Sequence, residues 1–341
     1  MGPETILLLV LLGGLTLYAL LGGADFGGGV WEFNTVLLSP EEERRLIYRA
    51  SGPVWEANHV WLIFVLAGLW TGFPTAFAGL CRALWLPLLL ALVGIVFRGV
   101  GFAYRSYAAG STRQQEVWGG VFAFASTAAP FFLGACAGAI ASGKLAIDPE
   151  GGYHGDPLFG WLASISIYTG FFGVGLCAYL AAVYLCREAW SEGRPELVEV
   201  WRRRALATGL WMGFLAVAGL AVVASDAPAL WNGLLDRGWP LVAVSMVAGV
   251  ASLGALWARR FALANLGAGT AVATVLWAWA VAQYPALIPP DVTVQSTKSP
   301  DPVLRATLGA IAAGAVLLVP SLGLLFHLFK GKRPESGGSA P

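Results

Sequence analysis

The sequence predicts an all-α integral membrane protein with nine transmembrane helices. Of its 341 residues, 57% are hydrophobic and 12% are charged, half of the ~25% charged share of an average soluble domain. Apolar runs long enough to supply the ~20 residues that cross a bilayer recur from one end to the other. The net charge of +1 gives no basic surplus, so nucleic acid is not expected as a partner.

The predicted spans form a single polytopic membrane domain over residues 1–341, with polar, turn-rich loops between them. The last residues are rich in Ser, Gly and Pro, so a disordered tail is expected over 331–341. The nine spans are predicted at about 5–34, 54–73, 76–102, 114–142, 157–186, 203–225, 239–258, 261–284 and 303–329.

Basic residues alternate from loop to loop and indicate the orientation. Fifteen Lys and Arg fall in the loops on one side, five fall on the other, and Arg98 lies within a span. Because basic loops stay in the cytoplasm, the N-terminus is predicted outside and the C-terminus in the cytoplasm. An eight- or ten-span arrangement would break this alternation.

The first span contains an acid among glycines, in the stretch LLGGADFGGGVW at 20–31. A charged side chain costs roughly 2.5–3.5 kcal/mol in the middle of a membrane helix, and glycine weakens a helix interior. Asp25 therefore needs a partner. The glycines are expected to let spans two and three approach it closely.

Other ionisable residues of spans two and three are predicted at the depth of Asp25. Glu56 and His59 are three residues apart, hence on one helix face, and Arg98 and Arg105 are seven apart. One interpretation is a hydrated cluster on a cytoplasm-facing proton route or beside a buried cofactor. The other is a structural ion pair of Arg98 with Asp25 or Glu56, and both stay open.

Ligands for a metal or a haem are scarce in this sequence. None of the four cysteines forms a CxxC or CxxCH motif, so zinc-knuckle and c-type haem sites are excluded. Of the three histidines, His154 is predicted in an outside loop and His327 in the last turn of span nine. His59 alone could ligate a haem inside the membrane. No metal site is predicted, and any haem is expected mostly on a partner.

Four segments, taken in order, resemble subunit II of the cytochrome bd quinol oxidases. Asp25 matches the acid of the first motif, and Asn58 and Trp61 match the second. Glu56 stands where many relatives have Asp, and His59 where relatives often have Gln. The segments are 23–29 (GADFGGG), 53–63 (PVWEANHVWLI), 97–106 (FRGVGFAYRS) and 284–294 (YPALIPPDVTV).

The resemblance implies two four-helix bundles plus one peripheral helix, and a heterodimer with subunit I, which has the same fold. It implies that the complex oxidises quinol and reduces dioxygen to water with protons from the cytoplasm. Haem b, haem d and the quinol site are then expected on the partner, so this chain has no direct catalytic residue. Quinone, lipids and small accessory single-span subunits are further partners that the resemblance allows, in a bacterial or archaeal cell membrane.

On this basis the polar and aromatic residues singled out in spans one to three are assigned to a proton or oxygen route or to support of the haem site. The alternative function is a secondary transporter whose glycine-rich first span is a broken helix at a substrate site. A third alternative is a membrane subunit with a purely scaffolding role. The site residues are Asp25, Glu56, Asn58, His59, Trp61, Arg98 and Arg105.

Overall fold

The computed structural model describes residues 2–38, 41–51, 55–107 and 112–330, and these are almost entirely helical. The tail predicted over 331–341 lies outside them. The helices are α1 (Pro3–Leu17), α2 (Gly23–Leu38), α3 (Glu41–Ser51), α4 (Trp55–Gly72), α5 (Pro74–Ala83), α6 (Trp85–Tyr107), α7 (Thr112–Ala141), α8 (Ser164–Ser191), α9 (Pro195–Asp226), α10 (Pro228–Gly233), α11 (Trp239–Trp257), α12 (Phe261–Gln283), α13 (Val294–Thr297) and α14 (Asp301–Lys330). Strands β1 (Ala286–Ile288) and β2 (Val292–Thr293) form an antiparallel hairpin in the fourth motif.

In the described part of the chain, eight helical runs are long and apolar enough to cross a membrane. One covers Pro3–Phe33, because a π-helical turn at Tyr18–Gly22 joins α1 to α2 without a break. Asn58–Gly72 and Pro74–Ala83 meet at 119° and make a ninth span if they are counted together. The all-α membrane fold is confirmed, and the continuous first span removes the basis of the broken-helix transporter.

Several predicted spans have different bounds in the structure. The fifth and sixth, predicted at 157–186 and 203–225, correspond to Ser164–Ser191 and Pro195–Asp226. The third, predicted at 76–102, is divided at Leu84 into α5 and α6. Helix α5 itself begins at Pro74, directly after the bend at Phe73. The seventh, predicted at 239–258, belongs to a run that begins at Pro228. This run continues through a second π-helical turn, Leu234–Gly238, where Arg237 donates to the Ala282 carbonyl at 3.2 Å.

The glycines of the first span bring α2 against α7 and α8. A Cβ atom on Gly27 would overlap the backbone carbonyl of Cys177, and one on Gly29 would overlap the Ser126 side chain. The neighbours admitted by these glycines therefore belong to spans four and five. The prediction that spans two and three use this space was wrong for Gly27 and Gly29, since the sequence does not show which helices are adjacent. Gly14, earlier in the same span, does face Phe64 and Val65 of α4.

The remaining helices pack around this centre. α8 contacts α7, α9 and α12 as well as α2, and α11 packs on α12 and α9. A large apolar core lies among α2, α3, α8, α9, α11 and α12, where Trp201 is fully buried. α14 packs on α1 and α4 and is exposed along most of its length.

Ion pairs hold the loops together at one end of the helices. Arg204 of α9 pairs with Glu43 of α3 at 2.7 Å, and its guanidinium lies over the Trp31 and Trp201 rings at 5.3 and 4.7 Å. Arg194 pairs with Glu42 at 2.6 Å. We call this end, which carries α3, residues 187–204 and residues 259–260, the basic face.

Loops at the opposite end make their own contacts. Lys298 lies 3.6 Å from Glu4 and 3.1 Å from Asp301, and Arg82 donates to the Gly151 carbonyl at 2.7 Å. The loops thus gather at the two ends in the alternation that the charge pattern predicts. Which end faces the cytoplasm stays a prediction.

Candidate functional site

Asp25 and Arg98 form a buried ion pair between α2 and α6. Arg98 Nη2 lies 2.6 Å from Asp25 Oδ1, and the two side chains are only 2% and 3% exposed. Arg98 also donates to the Asp25 backbone carbonyl at 3.4 Å. An unpaired charge at this depth would be very costly, so each residue explains how the other is tolerated.

Phe26 joins this ion pair to residues of two other elements. The Arg98 guanidinium lies 5.1 Å from the Phe26 ring centre and 5.1 Å from that of Phe122 on α7. The Phe26 ring lies 5.9 Å from the ring of His59 and 6.4 Å from the ring of Tyr18. We call Tyr18, Asp25, Phe26, His59 and Arg98 the polar cluster.

Several polar atoms of this cluster are buried without a hydrogen-bond partner among the described residues. They are Asp25 Oδ2, Arg98 Nε, Tyr18 Oη and both ring nitrogens of His59. Buried polar atoms in proteins are nearly always paired, often with ordered water. Water beside these atoms would make this a hydrated site, and a dry structural ion pair stays the other interpretation.

Asn58 and Trp61 border the polar cluster on α4. Asn58 Nδ2 donates to the carbonyl of Leu21 at 3.3 Å, inside the first π-helical turn. Such turns often occur at functional sites, and this bond ties α4 to the turn that precedes Asp25. Trp61 packs on the apolar group that includes Tyr18 and Phe26, so its contribution is apolar contact.

The structure brings Asp25, Asn58, His59, Trp61 and Arg98 together as predicted. Glu56 and Arg105 lie on α4 and α6, and their side chains fall outside the described residues. A proton role for these two residues therefore stays a prediction.

The loop histidine lies away from this cluster. His154 Nε2 is 2.9 Å from Asp148 Oδ2, in the loop between α7 and α8. Hydrogen bonds from His154 and from the Gly152 N–H lower the pKa of Asp148 below its ordinary value. His154 thus belongs to a local loop contact at the end opposite the basic face.

The ring of His59 packs on those of Phe26 and Tyr18, at 5.9 and 6.3 Å. That this chain holds no haem ligand stays a prediction. Across the described residues, His, Cys, Asp and Glu do not gather in groups of three that could hold a metal.

Sequence reasoning missed several residues of this site. Tyr18 and Asp25 are seven residues apart, a spacing that could have placed them on one helix face. Phe122 gave no signal, because only tertiary packing brings α7 to Arg98. Glu32, another acid of α2, is only 2% exposed and was also overlooked.

Comparisons with known proteins agree with this geometry. The sequence profile described as "Cytochrome bd terminal oxidase subunit II" matches residues 3–329. The "Cytochrome bd ubiquinol oxidase subunit 2" of Bacillus subtilis is 33% identical over 114 residues, 33% of each chain. The "Cytochrome bd-I ubiquinol oxidase subunit 2" of Escherichia coli K12 is 28% identical over 170 residues, 49% of this chain and 44% of that one. The matched stretches thus span less than half of these two relatives.

Two longer matches belong to the same group of proteins. The "Putative cytochrome bd menaquinol oxidase subunit II" of Bacillus subtilis is 23% identical over 334 residues, 94% of this chain and 93% of the relative. The solved structure of bd oxidase from Geobacillus thermodenitrificans superposes with a TM-score of 0.77 at 23% identity, over 98% of this chain and 100% of that one. That superposition shows the shared fold. Since the family profile covers nearly the whole sequence, the chain belongs to the cytochrome bd terminal oxidase subunit II family.

Proposed function

We propose that this chain is the second subunit of a heterodimeric quinol:dioxygen oxidoreductase in a bacterial cell membrane. Family membership supports a partner of the subunit I type, and the relatives are named as ubiquinol or menaquinol oxidase subunits. These relatives come from bacteria, so the archaeal alternative gains no support. The haems and the quinol site belong to the partner, where the haems supply the oxygen chemistry.

The topology we propose has nine spans, two four-helix bundles and α14 as the peripheral helix. The bent pair Asn58–Gly72 and Pro74–Ala83 serves as one span, and the N-terminus lies outside. The gathering of α3 and the arginine-rich turns at the basic face supports placing that face in the cytoplasm. Small accessory subunits, quinone and lipids are further partners in this proposal.

The polar cluster carries protons from the cytoplasm towards the partner's oxygen-reducing site. The observation that supports this role is the set of buried polar atoms without partners on Tyr18, Asp25 and His59. Water between these atoms would satisfy them and would connect a carboxylate, an imidazole and a phenol. Ionisable groups inside a membrane commonly mark such routes.

Each residue has a distinct part in this route. Asp25 Oδ2 accepts a proton from water, since only Oδ1 is engaged by Arg98. His59 can take up and release a proton at either ring nitrogen. Arg98 compensates the charge of Asp25, and Asn58 holds α4 in position through Leu21. Glu56 is proposed as the entry group on the cytoplasmic side.

Absorbance spectra and substitutions in the whole complex test the assignment as an oxidase subunit and the proton role of the polar cluster. Purified complex should show the far-red absorbance of haem d, and its absence would contradict the assignment as a bd-type oxidase. Asp25→Asn and Glu56→Gln should slow oxygen consumption while this absorbance survives. Unchanged oxygen consumption would leave the chain a scaffolding subunit, and lost absorbance would indicate a role in assembly instead.

A further inference from the structure

A cleft of about 350 Å³ opens on the basic face, away from the polar cluster. It lies where the turn between α8 and α9 meets the turn between α11 and α12. Its lining combines apolar side chains with two guanidinium groups, from Trp190, Pro195, Val198, Phe261, Arg194 and Arg259.

The two turns that form the cleft share one backbone design. In each, a pair of backbone hydrogen bonds ends the helix around a left-handed residue, Gly193 with φ 68° and Arg259 with φ 57°. Glycine is the usual residue at such a position, because a Cβ atom there is strained. Glycine would therefore be less strained at position 259, yet an arginine occupies it and lines the cleft.

The charge of Arg259 at the cleft is only partly compensated. Arg202, Arg203 and Arg259 share the single carboxylate of Glu199, at 2.9, 3.0 and 3.1 Å. Of these three, Arg259 is the one that lines the cleft, together with Arg194, which is paired with Glu42.

We propose that this cleft binds the phosphate headgroup of an anionic phospholipid from the adjoining leaflet. Guanidinium groups match phosphate oxygens in charge and geometry, and basic pockets between membrane helices bind such headgroups. Trp190 is 61% exposed beside Phe261, as suits an aromatic residue at the level of the headgroups. The apolar floor suits the glycerol and upper acyl chains, which inorganic phosphate lacks.

Native mass spectrometry of the delipidated whole complex in uncharged detergent tests this proposal. The probes are dioctanoyl phosphatidylglycerol, dioctanoyl phosphatidylcholine and inorganic phosphate. Phosphatidylglycerol should bind in preference to the other two. Arg259→Gly should weaken its binding about fivefold, as ~1 kcal/mol for one basic residue at the surface implies. This variant also relieves the strained turn, so misfolding is not the expected cause of a loss.

Arg203→Ala is the matched control, because Arg203 pairs with the same carboxylate but does not line the cleft. Its phosphatidylglycerol binding should stay within twofold of the unmodified complex. Equal binding of phosphatidylcholine, or an equal loss in Arg203→Ala, would overturn the proposal in favour of nonspecific attraction. Competition by inorganic phosphate at the lipid's own concentration would overturn it in favour of a soluble-anion site.

Discussion

Replacement of Arg98 by Met in the assembled complex tests how much the buried ion pair contributes to stability. Methionine keeps the apolar stem beside Phe26 and Phe122 but removes the charge 2.6 Å from Asp25. The Asp25 side chain is 3% exposed and would stay buried without a cation. Breaking such a pair on one side costs ~3–5 kcal/mol. The free energy of unfolding in a detergent titration should fall by that amount.

The double variant Asp25→Asn with Arg98→Met separates stability from function. It removes both charges with little change in shape, so most of the lost stability should return. Oxygen consumption per haem should nevertheless stay low, because asparagine at position 25 cannot take up a proton. Arg49→Met is the control, since the Arg49–Glu192 pair at 3.0 Å is largely exposed and should matter little for either measurement.

Recovery of oxygen consumption together with stability would refute this reasoning. Asp25 and Arg98 would then serve only to hold α2 against α6. A double variant as unstable as Arg98→Met would also contradict the argument, because the cost would then arise from packing around Phe26 rather than from an unpaired charge.

Three further predictions follow from other contacts. Gly27→Ala should prevent assembly of the complex, because a Cβ atom there meets the backbone of α8, whereas Gly13→Ala, with open space, should not; blue native electrophoresis compares them. His59→Gln should keep a polar side chain but flatten the pH dependence of oxygen consumption, and an unchanged profile would exclude titration of His59. The folded-state pKa of Asp148 is depressed below 3.8, so its loop contact should stabilise above that pH and weaken as the pH falls further; in His154→Ala, hydrogen exchange at 147–153 should be faster already at neutral pH.

Much of the fold could be predicted from the sequence, because a membrane span is a property of local composition. Long apolar runs identify spans whatever their neighbours are. Breaks within them were harder to predict: the third predicted span is divided at Leu84, while Asp236 and Arg237 lie inside a helical run. Arg237 is tolerated there because it donates to a carbonyl of α12, a contact that no local pattern reveals.

The charged half of the site could be predicted for a similar reason. A carboxylate inside a membrane requires a compensating group, and Arg98 was one of few candidates. The aromatic half was harder to predict, because only the seven-residue spacing from Asp25 points to Tyr18, and Phe122 looks like an ordinary apolar-span residue. Their place beside His59 and Arg98 follows from the π-helical turn and from the position of α7, which are both tertiary features.

Close packing at the glycines of the first span accounts for the burial of Asp25. Gly27 and Gly29 let α2 approach α8 and α7 so closely that no larger side chain fits. That approach buries Asp25 and makes Arg98 necessary as its partner. Close packing would favour a dry pair, yet Asp25 Oδ2 and both nitrogens of His59 lack partners among the described residues. A fold that needed only neutrality would be satisfied by apolar residues at positions 25 and 98, so the double variant at these positions distinguishes neutrality alone from the proposed proton transfer.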